Sequence, residues 1–204
     1  MSLAIVDHDM MVLRTLSRLL TAHDLIVTAF QSAEAFRESL AHGPPDAVLV
    51  DLRLGPEGGV ALLEQLRDDG HRIPMLFLSE RPDPTLTALA VRAGAIDVFQ
   101  KPFDEAAMLA SITRAIEIGR STREVAATSD ELRTKWETLT PREQQVCSQV
   151  VQGRPNRQIA VDLGTREKTI KVHRARVMAK MGARSLPELV RSIDRLGSSS
   201  DASV

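Results

Sequence analysis

Ala47-Val48-Leu49-Val50-Asp51 decides how the first half of this 204-residue chain folds, because four apolar residues there end in one carboxylate. A short, continuous apolar run predicts a strand that is buried on both faces of a sheet. Comparable runs occupy residues 3–6, 25–27, 74–78 and 96–99, and helical patterns separate them. Asp9 and Ser32 are the predicted N-caps of the first two helices. Five alternations of strand and helix predict a five-stranded parallel sheet with helices on both faces.

Polar residues stand at or just after the ends of four of these strands. They are Asp7, Asp51, Ser79 and Lys101. The carboxyl ends of parallel strands meet at one edge of a sheet, and functional groups gather there. One polar residue after a strand is ordinary, but two carboxylates, a hydroxyl and an ammonium from four strands indicate a functional site.

The motifs around these residues resemble the receiver domain of two-component response regulators. The matching segments are Ile5-Val6-Asp7-His8-Asp9, Val50-Asp51-Leu52-Arg53, Leu78-Ser79, Gly94-Ala95-Ile96-Asp97 and Lys101-Pro102-Phe103. The resemblance covers residues 1 to about 119 and implies a flavodoxin-like α/β fold. It also implies that Asp51 is the phosphoacceptor and that Asp7, Asp51 and the backbone carbonyl of Arg53 hold Mg²⁺. Ser79 and Lys101 would bind the phosphoryl group, which a carboxylate can attack once a cation neutralises the charge between them.

His8 is the main departure from the family pattern, which usually has two adjacent acids after the first strand. Mg²⁺ is a hard ion that prefers oxygen ligands, so an imidazole at this position predicts weakened Mg²⁺ binding. Asp9 follows, but alternation along an extended chain directs it away from the pocket. A transition-metal site that uses His8 is an alternative that the residues leave open, and His8 is therefore a doubtful metal ligand.

Two further departures concern the switch. The position that usually carries a mobile aromatic residue is Val98, and Phe99 beside it is predicted to pack in the core instead. The loop after Asp51 has its proline shifted by one place, to Pro56. These departures leave open an atypical, phosphorylation-independent regulator whose receiver serves as a dimerisation or sensing module.

Leu139-Thr140-Pro141-Arg142-Glu143 begins a second, all-helical pattern, with Thr140 as N-cap, Pro141 at the first helical position and Glu143 as capping-box partner. Two short helices around a glycine-containing turn then predict a helix-turn-helix. Residues 138–196 carry 12 Lys and Arg against 5 Asp and Glu, although the whole chain has a net charge of −1. Such an excess of cations indicates a partner rich in phosphate.

This second half resembles the LuxR-type output domain from residue 139 to about 195, and the order of the two domains resembles the NarL/FixJ family. The motifs that match include Gln158-Ile159-Ala160, Leu163-Gly164 and Thr169-Ile170-Lys171-Val172-His173. The resemblance implies that the third helix enters the major groove of DNA. Lys171 and Val172 would reach base edges. The predicted DNA-binding residues are Asn156, Thr169, Lys171, Val172, His173, Arg174, Arg176 and Lys180.

The expected organisation is a receiver domain over residues 1–119, a linker helix over 120–137, a LuxR-type helix-turn-helix domain over 138–196 and a disordered tail over 197–204. The expected partners are double-stranded DNA and a sensor histidine kinase, with a homodimer in the active state. RNA polymerase is a further candidate partner.

Several classes of protein are disfavoured by the composition. No apolar stretch approaches the ~20 residues that span a bilayer, so we expect no membrane partner. The one cysteine, Cys147, cannot form an internal disulfide, which fits a cytoplasmic location, and its helical position predicts a small buried hydrophobe. Metal-dependent phosphoryl hydrolysis is an enzymatic alternative, but the sequence has no glycine-rich phosphate cradle and no substrate loop. We therefore expect a regulator that is not an enzyme.

Overall fold

The computed structural model describes residues 1–56, 58–81 and 83–201, with side chains as far as residue 197. The chain divides into two compact units, Met1–Arg123 and Glu124–Val204. The first unit contains the sheet and the second is helical. The α/β domain and the small all-α domain predicted from the sequence are both confirmed.

The first unit is built on one parallel sheet with the strand order β2-β1-β3-β4-β5. Its strands are β1 (Ser2–Val6), β2 (Ile26–Phe30), β3 (Ala47–Asp51), β4 (Met75–Ser79) and β5 (Asp97–Gln100). The register pairs Val6 with Val50 and Ser79 with Gln100, so the carboxyl ends of the strands lie along one edge. This edge is where the predicted site residues stand.

Helices cover both faces of the sheet. They are α1 (Met10–Thr21), α2 (Ala33–Ser39), α3 (Gly58–Asp68), α4 (Pro84–Arg92) and α5 (Glu105–Glu137), with a short 3-10 helix over Leu40–His42. The Asp9 carboxylate accepts a hydrogen bond from the Met11 amide at 2.7 Å, and the Ser32 hydroxyl accepts one from the Ala35 amide at 3.2 Å. Both predicted N-caps are confirmed.

The strands alternate between two apolar cores, one on each face of the sheet. Leu49 and Leu78 belong to the core on one face, and Val50 and Phe77 belong to the core on the other. Phe99 packs against the first core, whereas Val98 packs against the second. Phe99 therefore has the core position predicted for it.

The first part of α5 is fixed to the sheet by a polar contact at the amino end of β3. The Arg123 guanidinium donates a hydrogen bond to the Pro44 carbonyl at 2.7 Å and forms an ion pair with the buried Asp46 carboxylate. Asp46 in turn accepts a hydrogen bond from the Ser2 amide at 2.6 Å. A methyl group added at Gly119 would overlap the Asp46 carbonyl, so the glycine allows this close approach.

The second unit packs four helices and the end of α5 around one core. The helices are α6 (Pro141–Val151), α7 (Asn156–Asp162), α8 (Glu167–Met181) and α9 (Leu186–Asp201). Thr140 and Glu143 form the predicted capping box at the start of α6. Cys147 is fully buried in the core, and Trp136 from α5 packs against it.

Helix α9 differs from the sequence-based expectation at its end. It continues through Asp201, whereas residues 197–204 were expected to be disordered. Extending a helix that packing has already nucleated fixes one residue per added hydrogen bond, so small polar residues can continue it. Residues 202–204 lie outside the described residues. Across the ranges that the structure describes, no helix combines the length and the apolar character that crossing a membrane would require.

Candidate functional site

Asp7, His8 and Asp51 meet at the carboxyl edge of the sheet. Asp7 and Asp51 are buried, with 2% and 5% of their surface exposed, because they end central strands flanked by helices. The His8 side chain is 65% exposed but turns its Nδ1 inward, 3.2 Å from Asp51 Oδ2 and 3.6 Å from Asp7 Oδ1. The three side chains can each present a ligand atom, and these atoms lie within 4.8 Å of one another. Asp7 and Asp51 therefore lie together at the edge where the sequence predicts them, with His8 beside them, and their binding roles stay predictions.

The Asp7 carboxylate is poorly compensated for its burial. Desolvation raises its pKa above the ordinary value, and the nearby Asp51 carboxylate acts in the same direction. The Asp9 amide opposes this by donating a 2.8 Å hydrogen bond to Oδ1, and the charges of Lys101 and His8 also lower the pKa. Asp7 Oδ2 is buried and has no hydrogen-bond partner among the described residues. A buried carboxylate oxygen without a donor favours the approach of a cation.

Lys101 and Ser79 stand at the same edge but contact groups other than Asp51. The Lys101 ammonium lies 3.6 Å from Asp7 Oδ2 and 3.7 Å from Glu80 Oε1. The Ser79 hydroxyl donates a 2.6 Å hydrogen bond to the Arg81 carbonyl. Sequence reasoning missed Glu80, since an exposed acid after a strand carries no distinguishing signal. Both residues predicted to bind the phosphoryl group are thus held by other partners in this state.

Asp9 and Arg53 border the pocket in different ways. Asp9 caps α1, as expected, so its side chain does not replace the acid lost at position 8. The Arg53 amide donates to Asp51 Oδ1 at 3.2 Å, while its guanidinium pairs with Asp83 at 2.8 Å. Ligation of Mg²⁺ by the Arg53 carbonyl stays a prediction.

A second candidate site is the exposed face of α8, the third helix of the predicted helix-turn-helix domain. Its solvent-exposed residues include Lys168, Thr169, Lys171, Val172 and Arg176. The Lys171 side chain is 65% exposed, with Glu167 3.4 Å away on the same helix. A hydrated ion pair at this spacing is weak and yields readily to a phosphate or a base edge. Ile170, Val177 and Met181 are buried on the opposite face, so packing fixes which side of α8 faces outward.

Two predicted DNA-binding residues contact each other inside the second unit, and a third is half-buried there. The Arg174 guanidinium donates a 3.3 Å hydrogen bond to the Asn156 side-chain oxygen, which ties α8 to the start of α7. His173 is half-buried, and its Nδ1 has no hydrogen-bond partner among the described residues. The hydrogen bond between Arg174 and Asn156 thus helps to position α8 relative to the start of α7.

Lys180 differs most from its predicted place. Its ammonium donates to the buried Glu143 carboxylate at 2.7 Å and to the Thr138 carbonyl at 2.8 Å. The Lys180 hydrogen bond, with that of the Thr140 amide, lowers the pKa of Glu143 from 4.5 to about 2. Lys180 is held there because the capping box buries the Glu143 carboxylate, and a buried carboxylate is stabilised by a nearby cation. This geometry gives Lys180 an internal structural role.

Comparison with known families matches both units. Residues 3–113 match the model described as the response regulator receiver domain, and residues 137–193 match that of bacterial regulatory proteins of the luxR family. The transcriptional regulatory protein FixJ of Rhizobium meliloti (strain 1021) is 41% identical, over 92% of each chain. The response regulator protein TmoT of Ectopseudomonas mendocina is 38% identical over 94% of this chain and 87% of its own.

Solved structures agree with these matches. The response regulator StyR superposes with a TM-score of 0.83 at 34% identity, covering 95% of this chain and 98% of its own. Full-length FixJ from B. japonicum gives a TM-score of 0.57 at 31% identity, covering 97% of both chains. The relatives are therefore similar across the whole of the two-unit organisation.

Proposed function

Because the chain belongs to the NarL/FixJ family of two-component response regulators, we propose that phosphorylation of its receiver at Asp51 controls how its LuxR-type domain binds DNA. The observation that carries this proposal is the pocket around Asp51. A strand-end carboxylate lies there beside a second buried carboxylate, Asp7, one of whose oxygens has no hydrogen-bond donor. Family membership does not favour the phosphorylation-independent alternative.

The residues of the pocket fit a divalent cation, because two carboxylates converge and Asp7 Oδ2 has no other hydrogen-bond partner among the described residues. A bound Mg²⁺ would neutralise charge between Asp51 and the incoming phosphoryl group. Asp7 and Asp51 would hold it, together with the Arg53 carbonyl. One Asp51 oxygen then forms a bond to phosphorus while the bond from phosphorus to the donor breaks.

Lys101 and Ser79 would change partners during this step. The Lys101 ammonium sits near Asp7 and Glu80 and can turn to a phosphoryl oxygen as a point charge. The Ser79 hydroxyl would leave the Arg81 carbonyl to donate to the same group, and the loop after β4 would follow it. Such an exchange links new charge at Asp51 to a conformational equilibrium.

In the second unit, α8 would lie in the major groove, with Lys171 and Val172 at base edges and Arg174, Arg176 and His173 near phosphates or bases. Asn156 and Thr169 would contact the sugar-phosphate backbone. We leave Lys180 out of this set, because its ammonium is bound by Glu143. A homodimer would match paired half-sites, a sensor histidine kinase would supply the phosphoryl group, and RNA polymerase is a further candidate partner. A DNA target for this protein would place it in the cytoplasm.

An enzymatic role has no comparable support. The family consists of transcriptional regulators that carry receiver and DNA-binding domains. Turnover of phosphate esters by the purified chain would be the observation that favours hydrolysis instead.

Selection from a random DNA library, with and without acetyl phosphate, tests the coupling directly. We expect the donor to strengthen binding of wild-type protein to the selected site by about tenfold, since effector coupling is typically 1–3 kcal/mol. Asp51→Asn protein should select the same site but show no response to the donor. The proposal would be contradicted if acetyl phosphate changed DNA binding equally in both proteins. It would also be contradicted if the second unit alone bound the site as tightly as the whole chain does, with or without acetyl phosphate.

Lys171→Ala is expected to weaken specific DNA binding by about tenfold and to relax the sequence preference, as loss of a base contact does. Binding of wild-type protein should also weaken steeply with added salt, because cations of the second unit displace counterions. The matched control is Arg191→Ala, which removes one exposed charge from α9. An unchanged preferred site in Lys171→Ala protein, or wild-type binding that is insensitive to salt, would count against the docking of α8.

A further inference from the structure

We infer that the pocket of Asp7, His8 and Asp51 is selective for a divalent first-row transition-metal ion over Mg²⁺, with the His8 imidazole as a direct ligand. This inference rests on the proposed function in one respect, namely that the pocket around Asp51 holds a cation. It adds the identity of that cation and the residue that selects it.

The orientation of His8 is the first observation. The residue follows β1 directly, and most of its ring is exposed to solvent, yet Nδ1 turns to the pocket and lies 3.2 Å from Asp51 Oδ2. Two ligands about 2.1 Å from one metal ion and this far apart subtend roughly 100° at the ion, between the angles that neighbouring ligands make in octahedral and in tetrahedral sites. The spacing therefore suits two ligands of one ion.

The second observation is the state of Asp7. Its Oδ1 is engaged by the Asp9 amide, but Oδ2 is buried with no hydrogen-bond partner among the described residues. Lys101 is 3.6 Å from this atom, too far for a hydrogen bond. The Asp7 oxygen nearest to His8 Nδ1 is Oδ1, at 3.6 Å, so the Asp7 carboxylate faces His8 with one oxygen and Lys101 with the other. A buried carboxylate that has an oxygen without a hydrogen-bond donor favours the approach of a metal ion.

The donor set decides which cation is favoured. Two carboxylates alone would suit Mg²⁺, which prefers oxygen ligands and keeps several of its waters. An imidazole nitrogen adds little for Mg²⁺ but much for Co²⁺, Ni²⁺ or Zn²⁺, whereas Mn²⁺ resembles Mg²⁺ in its preference for oxygen ligands. The Asp9 carboxylate caps α1 and is not available to the pocket. Among the described residues, the pocket therefore has two carboxylates and an imidazole, with no third carboxylate where His8 stands.

Calorimetric titration of the whole unphosphorylated protein with CoCl₂ and, separately, with MgCl₂ tests the inference. Co²⁺ is a suitable probe because its visible absorption reports the ligands around it. We expect Co²⁺ to bind wild-type protein at least about tenfold more tightly than Mg²⁺ does. His8→Asp should lower the Co²⁺ affinity and raise the Mg²⁺ affinity, each by about tenfold, with a changed Co²⁺ spectrum.

Two more variants complete the design. His8→Ala removes the imidazole without adding an oxygen, so it should weaken Co²⁺ without strengthening Mg²⁺. Asp7→Asn should weaken both ions, provided that its circular dichroism shows a folded protein. The chain has five histidines, and these variants retain the four others, so adventitious binding to surface imidazoles would persist in all of them.

Three results would overturn the inference: a ratio of Co²⁺ to Mg²⁺ affinity that His8→Asp leaves unchanged, a Co²⁺ site that persists in Asp7→Asn protein, or no binding of either ion. Phosphoryl transfer to Asp51 is measured by mass and needs only some cation. If the protein is phosphorylated with Mg²⁺ but substitution of His8 does not change the metal affinities, the inferred metal preference is wrong and the proposed function still stands.

Discussion

Wild-type protein incubated with acetyl phosphate and Mg²⁺ is expected to gain the mass of one phosphoryl group, and Asp51→Asn protein is expected to gain none. The side-chain amide of asparagine has nearly the shape of the carboxylate but lacks the charged oxygen that attacks phosphorus. Asp51 is only 5% exposed, so a substitution of nearly the same shape is needed to keep the packing around position 51 unchanged. Intact mass spectrometry measures the adduct directly and without a label.

Asp9→Asn is the matched control for this experiment. Asp9 lies two residues after Asp7, but its carboxylate caps α1 by accepting from the Met11 amide, and asparagine caps equally well. This variant should therefore keep the adduct. An adduct on Asp51→Asn protein would place the acceptor elsewhere. Absence of an adduct on wild-type protein, even with a phosphorylated kinase as donor, would remove the switch.

Glu143→Ala is expected to lower the free energy of unfolding of the second unit by about 2–4 kcal/mol. It removes the carboxylate that accepts the Thr140 amide in the capping box and leaves Lys180 without its carboxylate partner, while the Thr140 hydroxyl still caps the backbone amide of residue 143. The loss falls toward the lower end of values for buried pairs, because the Lys180 side chain is 36% exposed and keeps the Thr138 carbonyl. Glu143→Gln retains an oxygen for the Thr140 amide but no charge, and about half of the loss is expected.

The same pair predicts how stability depends on pH. The pKa of Glu143 is lowered to about 2 in the folded protein from an ordinary 4.5. Its contribution is therefore complete above about pH 4.5 and is lost as the pH falls from there towards 2. Glu143→Gln should lack this part of the acid dependence.

Trp136 makes both measurements specific. It is the chain's one tryptophan, and it packs against the core of the second unit, so its fluorescence follows that unit during denaturation of the whole chain. Equal unfolding midpoints for wild type and Glu143→Ala would show that the pair contributes nothing.

The parts of the fold that follow from local chemistry could be predicted from the sequence. Apolar runs located the strands, and their polar ends located the pocket, because parallel strands leave few other arrangements. Asp9, Ser32 and the Thr140 capping box were predictable for the same reason, since a helix cap depends on its own four residues.

Contacts between residues distant in sequence could not be predicted in this way. Lys180 was expected on DNA because a cation on a recognition helix resembles its neighbours, and only packing reveals that Glu143 lies beneath it. The Arg174 bond to Asn156 and the Arg123 ion pair with Asp46 depend likewise on how helices approach. The hydrogen bond of Ser79 to a nearby carbonyl reflects a loop conformation that no residue type dictates.

Alkylation of Cys147 can measure how often the second unit unfolds locally. It is the single cysteine, it is fully buried, and burial raises the pKa of its thiol to about 11. An alkylating reagent attacks the thiolate form. The folded unit therefore resists alkylation because the thiol is buried away from the reagent and because its raised pKa keeps it protonated. The rate of alkylation at excess reagent therefore reports transient exposure of this core, and the first unit, which has no cysteine, adds no background.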